Sequence, residues 1–227
     1  MRNSITNEQL DHLLKFVGYG DLKAEYWFLG MEEGGGGEEN IRARLVFRHI
    51  EDCADAHKIL GITKFHRGKR IIQRTWRGMC YIMLRLQNHE PNPENIRNYQ
   101  AEQLGRFGGN TLLYELMPLP KPSIGDWDYE KLIPQFSSRT DYYEKVKPMR
   151  KELLSNLYLE YSPKAVIAYG KNFWQDYQEL FPNVNFTPID QFWVGRDHDT
   201  KIVFTGHLTA RTMNGKLDDV VSLIADK

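Results

Sequence analysis

Short apolar runs that end in glycine alternate along this chain with longer stretches of helical period. Ile5 to Val17 sets Leu10, Leu13, Leu14 and Val17 on one face, with Thr6 or Asn7 as cap, and predicts an amphipathic helix. AEYWFLGM at 24–31 is too short for a helix and rich in aromatics, so it predicts a buried strand, broken by Gly34 to Gly37. Helical patterns follow over Glu39 to Leu60, Gly68 to Gln87 and Pro93 to Leu104. TLLYELMPL at 111–119 predicts a second strand, entered from GGN at 108–110 and left through PLPKPS at 118–123, with much of 123–138 as loop. A long helix over Tyr142 to Tyr161, a buried strand KAVIAYG at 164–170, a helix over Asn172 to Leu180 and a short strand within Phe186 to Trp193 come next. KIVFTG at 201–206 predicts the last strand and Gly215 to Ala225 the last helix. Strands alternating with helices predict an α/β fold of three layers, α/β/α, on a mainly parallel central sheet of about four strands, with 1–227 as one domain. In such sheets ligands bind beyond the carboxyl ends of the strands. That rule singles out residues 30–35, 108–123, Gly170–Lys171 and 206–211.

Composition narrows the chemistry. Thirty basic and 30 acidic side chains cancel, so affinity for a polyanion has to come from a local patch. Cys53 and Cys80 lie in apolar-periodic stretches and form no CxxC pair, which argues against a zinc or iron–sulfur site held by cysteines and for two buried thiols. No run of about 18 apolar residues occurs, and the first ten residues lack the apolar segment of a signal peptide. The expectation is a cytoplasmic monomer with no membrane partner, no metal and no cofactor.

Three constellations sit at strand ends. GMEEGGGGEEN at 30–40 has the glycines of a phosphate loop but neither GK[ST] nor GxGxxG, and its four glutamates would repel phosphate. Glu32 and Glu33 follow the strand directly, so one can point into a cleft while its neighbour points away; a carboxylate there orients water or stabilises a cationic transition state. The same pair also fits a solvated acidic loop. GHLTAR at 206–211 joins a histidine to a hydroxyl at Thr209 and a cation at Arg211, and Asn110 borders a strand with an amide that could pair with a base edge or cap a turn.

The order strand-GMEEGG, GN-TLLYELMPLPKPS, SPKAVIAYGK and strand-GHLTAR resembles the uracil-DNA glycosylase superfamily, over residues 24–227. The motifs are most similar to those of its single-strand-selective monofunctional branch, whose GMNPG and HPSPRN compare with GMEEGG and HLTAR. The resemblance implies a hydrolase that cleaves the N-glycosidic bond of a flipped, damaged or deaminated base in DNA. It places Glu32 where the family positions water and His207 where it stabilises the leaving base. Gly30, Met31 and Asn110 fall at base-binding positions, with Phe47 as the stacking aromatic. Thr209 replaces a serine near DNA phosphate, and Arg211 falls at the wedge that fills the space of the extruded nucleotide. Glu33 and Leu208 replace two motif prolines, and Gly34 leaves no side chain where some branches exclude thymine. An alternative stays open: an inactive nucleic-acid- or nucleotide-binding module on the same fold. A helical stripe of Arg70, Arg74 and Arg77 at i, i+4 and i+7 offers the local basic patch for DNA, although one basic helix face is equally a solvated one.

Overall fold

The computed structural model describes residues 3–121, 125 and 127–225. Its elements run α1 (Asn7–Leu14), β1 (Gly18–Gly20), β2 (Tyr26–Gly34), α2 (Glu38–Ala43), β3 (Ile50–Glu51), α3 (Cys53–Ile59), α4 (Arg74–Leu86), α5 (Pro93–Glu102), β4 (Thr111–Lys121), α6 (Arg139–Tyr161), β5 (Ala165–Tyr169), α7 (Trp174–Gln178), β6 (Thr187–Ile189), β7 (Phe192–Asp197), β8 (Thr200–Thr205) and α8 (Leu217–Ala225). Local chemistry accounts for most of the boundaries. Thr6 and Gln9 form a reciprocal capping box at α1, Asp52 caps α3 through the amides of Ala54 and Asp55, and Asn92 caps α5 with Pro93 in its first turn.

The sheet is larger and more mixed than the expected four, mainly parallel strands. Eight strands lie in the order β3-β1-β4-β2-β5-β8-β7-β6. The four long apolar runs make a parallel centre, β4-β2-β5-β8. The added strands are β1 and β3, of three and two residues, and the β6–β7 hairpin, with antiparallel pairings at β1·β4, β6·β7 and β7·β8. β1 and β3 are too short to show an alternating pattern, which is why periodicity misses them, whereas β6 falls within the short strand expected at 186–193.

The 39–60 pattern also resolves differently. It breaks into α2, a 3-10 turn at Arg44–Val46, β3 and α3, because Ile50–Glu51 pair with β1 and Asp52 restarts the helix. The 68–87 helix starts only at Arg74, capped by Gln73, and Arg70 precedes it with φ +49. The expected Arg70–Arg74–Arg77 helical stripe therefore reduces to Arg74 and Arg77. The expected loop beyond Lys121 falls in part on 122–124 and 126, outside the described residues.

Helices cover both faces. α1, α6 and α7 bury Leu13, Val146, Leu154 and Tyr177 against Trp27, Leu29, Leu116 and Phe204 on one side. α3, α4, α5 and α8 bury Met79, Cys80, Ile96 and Val220 against Phe28, Leu113, Ile167 and Val203 on the other. The chain winds from β2 outward to β4 and returns to β5 on the opposite side of β2. The crevice beyond the carboxyl ends of β2 and β5 is therefore a topological switch point, the usual place for a ligand. Among the described residues no helix is long and apolar enough to cross a membrane.

Candidate functional site

Beyond those strand ends lies a cavity of about 50 Å³, lined by Phe16, Tyr19, Glu33, Trp76, Met79, Glu115 and Tyr169 among others. That is room for a few water molecules and less than a nucleobase occupies. Strand alternation explains how Glu115 reaches it. In β4, Leu112, Tyr114 and Leu116 belong to the α6 side, so Leu113 and Glu115 turn to the α4 side. Glu115 pairs in register with Gly30, and a Cβ on Gly30 would overlap Glu115 Oε2 and the Tyr169 hydroxyl. Glycine is needed there for space. Gly30→Ala is expected to lower stability by about 1–3 kcal/mol, measured by urea melts; an unchanged midpoint would show that the carboxyl group can move aside freely.

The Glu115 carboxyl group sits in an unusual setting. Tyr169 donates a hydrogen bond to Oε1 at 2.9 Å, while Oε2 is buried with no partner among the described residues. Burial raises its pKa to about 8; the Tyr169 hydrogen bond opposes this and the charges of Glu33 and Glu32 add to it. At neutral pH Glu115 is mostly a neutral acid.

Glu33 is held by two donors. Arg44 Nη2 donates to its Oε1 at 2.8 Å, and the Tyr19 hydroxyl lies 2.9 Å from Oε2. The Arg44 guanidinium stacks near Phe16 and Phe47, with ring centroids at 5.8 and 5.6 Å. Burial works against the Arg44 charge, but Glu33 and Tyr19 outweigh it and its pKa rises. Tyr19 is pushed well above the ordinary tyrosine range by burial and the adjoining Glu33.

The two acidic residues at the end of β2 point to different places. The alternation of β2 breaks after Met31, and the β2–β4 register shifts between Glu32 and Gly34. Glu33 enters the cavity. Glu32 lies on the other side, where Oε2 accepts from Tyr143 at 3.1 Å, Lys121 Nζ is 3.9 Å away and Oε1 is buried with no hydrogen bond among the described residues. Burial raises the Glu32 pKa, opposed by Lys121, Tyr143 and Arg139. Gly35, Gly36 and Gly37 all take positive φ, and the Gly35 and Gly37 amides bond the Lys121 carbonyl and the Tyr129 hydroxyl. The glycine run is thus a tight turn packed onto the end of β4, not an open anion cradle.

His207 follows β8 and packs edge-on against Tyr169, 5.6 Å between centroids. The Thr209 amide donates to its Nδ1 at 3.3 Å, and the Thr209 hydroxyl lies 2.8 Å away. An acceptor at Nδ1 places the proton on Nε2 in the neutral ring, and desolvation lowers the pKa so that this form dominates. Leu208 packs on Gly78, where a Cβ would meet it at 2.9 Å. That contact holds the His207 turn against α4.

α4 is a shared wall. Trp76 and Met79 face the cavity, while Arg74, Arg77 and Tyr81 line a neighbouring groove of about 460 Å³ with Leu208 and Thr209. Arg211 is exposed at the start of a 3-10 turn, and Arg70 is paired with Glu102 at 2.8 Å and Asn98 at 2.9 Å, away from that groove.

Three expected positions stand elsewhere. Asn110 precedes β4, its carbonyl bonds the Tyr26 amide, and its Oδ1 accepts from Tyr99 at 3.0 Å. It therefore occupies the amino end of the parallel strands, five residues and roughly 16 Å of strand from Glu115. Glu32, Asn110 and His207 do not share one pocket. Phe47 is buried behind Phe16, and Met31 lies in the core on the α6 face of the sheet. Glu115 and Tyr169 escape a motif reading, yet a carboxylate inside the apolar run TLLYELMPL was a legible anomaly. No protein-family model matches this chain, and no curated protein matches it in sequence.

Proposed function

We propose that this chain is a metal-independent N-glycosyl hydrolase that releases a base from DNA, with a uracil-DNA glycosylase-like fold and a carboxyl pair of its own. One observation carries the reading: a neutral carboxylic acid, Glu115, and an arginine-paired carboxylate, Glu33, line the same aromatic-walled cavity at the strand switch point. Two carboxyl groups whose surroundings set them to opposite tasks are the usual arrangement for acid and base work on a glycosidic bond. As the C1′–N bond breaks, its electron pair passes to the base, and the Glu115 proton neutralises the charge developing there. Glu33 faces the cationic sugar and accepts a proton from the water that attacks C1′. The His207 Nε2–H is a second donor to the leaving base. Trp76 and Phe16 offer flat surfaces for a base out of the stack. A base exceeds the present cavity, so its arrival requires Met79 or Phe16 to turn aside. Arg74, Arg77 and Thr209 supply the phosphate contacts.

The test is release of free base from oligonucleotides carrying uracil, hypoxanthine, xanthine or alkylated bases, single- and double-stranded. Glu33→Gln and His207→Ala are each expected to slow release about 10²-fold or more, while Glu32→Gln changes it little. Arg74→Ala and Arg77→Ala are each expected to weaken DNA binding on every sequence and to lower the salt slope by about one. A second reading, DNA binding without excision, is favoured by the small cavity and by the hydrogen bonds that already engage Glu33. Salt-dependent binding with no base released from any substrate would select it.

A further inference from the structure

Cys53, His57 and His66 converge behind the Trp76 wall. Cys53 opens α3 and His57 lies one turn on, so both face inward from the same side of the helix. The segment after α3 then folds back and brings His66 beside them. His66 Nε2 is 3.0 Å from His57 Nδ1, and the Cys53 sulfur and one nitrogen of each ring all lie within 4.8 Å of one another. Among the described residues, the side-chain partner of each ring is the other ring, and the Ala101 backbone adjoins His66.

From this geometry we infer that Cys53, His57 and His66 form a binding site for one divalent cation of the zinc type. One thiolate and two imidazoles are a donor set suited to zinc. Two nitrogens at zinc–nitrogen distance on a tetrahedral ion stand about 3.3 Å apart, close to the spacing already present. The sulfur needs an adjustment on the order of an ångström or less, within reach of a small side-chain rotation.

The surroundings suit a cation as well. The His57 ring stacks on Trp76 at 5.1 Å and 18°, which fixes the plane of its lone pair. Asp52, adjoining Cys53, bonds Arg106 at 2.7 Å, and Glu33 adds a second carboxylate toward the cluster. Arg44 and Arg106 stand against it, so the local charge is balanced rather than strongly acidic. A cavity of about 130 Å³ lined by Asp55, Arg67 and Arg106 reaches the His66 edge of the cluster. The ion would clamp α3 to the segment that follows it and brace Trp76. It serves structure, and it neither needs nor supplies the chemistry at Glu33 and Glu115.

Cobalt(II) titration of the chelator-treated 227-residue chain tests the site. The expected result is saturation at one cobalt per chain, with a thiolate-to-cobalt charge-transfer band that zinc abolishes. Cys53→Ala removes the band, Cys80→Ser keeps it, and His66→Gln weakens binding at least tenfold. Absence of saturable binding, or a band that survives Cys53→Ala, overturns the proposal. Should Cys53→Ala fail to fold, His66→Gln decides by melting: zinc raises the Tm of the wild type and leaves that variant unchanged, whereas an equal rise in both refutes the site.

Discussion

Glu115→Gln is expected to melt above the wild type at pH 9, to match it near pH 4.5, and to lose base release by about 10²–10⁴-fold. The stability effect follows from the raised pKa. In the unfolded chain Glu115 ionises near pH 4.5, whereas in the fold burial holds its proton until about pH 8. The native state therefore binds more protons across that window. Its stability is complete below pH 4.5 and declines as the pH rises toward 8. Glutamine stays neutral throughout and escapes that decline. With each pKa unit worth about 1.4 kcal/mol, and some water in the cavity softening the burial, the gain at pH 9 is about 2–3 kcal/mol, or roughly 5–10 °C. Thermal melts at pH 4.5, 7 and 9 check it. Parallel curves for the two proteins would mean that Glu115 is an ordinary carboxylate, and the acid role proposed for it would fall. Stability and activity move in opposite directions here, which separates a working group from one that merely fills space.

Arg150→Met is expected to carry the largest cost to folding. Arg150 is fully buried in α6, and its guanidinium donates to the carbonyls of Leu14, Glu115 and Leu116 at 3.1, 2.9 and 3.0 Å. Burial pulls its pKa down to about 10, so it remains charged at neutral pH. Methionine approximates the volume but leaves three buried acceptors unsatisfied, a loss of about 3–5 kcal/mol in all, or roughly 10 °C in Tm. Calorimetry measures it. The same carbonyls fix the backbone of β4 where Glu115 projects, so a folded Arg150→Met should also shift the Glu115 titration. A drop below about 1 kcal/mol would show that water reaches those carbonyls.

The long elements were legible because each carries its own signal. The buried runs at 26–31, 111–119, 165–169 and 201–205 are short, apolar and bounded by breakers, and each became a central strand. Helices with strong caps, such as α1 and α5, began within two residues of their capping chemistry. The short strands β1 and β3 exist only through their partners and left no trace in the pattern, whereas β6 falls within the strand expected at 186–193. Arg70 shows the converse error: the stripe spacing is present, but Gln73 caps the helix after it and Glu102 engages it.

For the site, the chain alone set the inventory and its neighbourhood. Carboxylates after the first long strand, a histidine after the last and arginines on one helix could all be read in one dimension, because strand ends and helix faces are local properties. Which carboxylate works could not. Only the folded structure shows that Glu33 enters the cavity while Glu32 turns toward Tyr143, against the alternation of β2. Only the parallel pairing of β2 with β4 puts Asn110 at the wrong end and Glu115 beside Gly30. Register and strand direction are relations between segments about eighty residues apart, and a one-residue shift reverses the face on which every side chain stands.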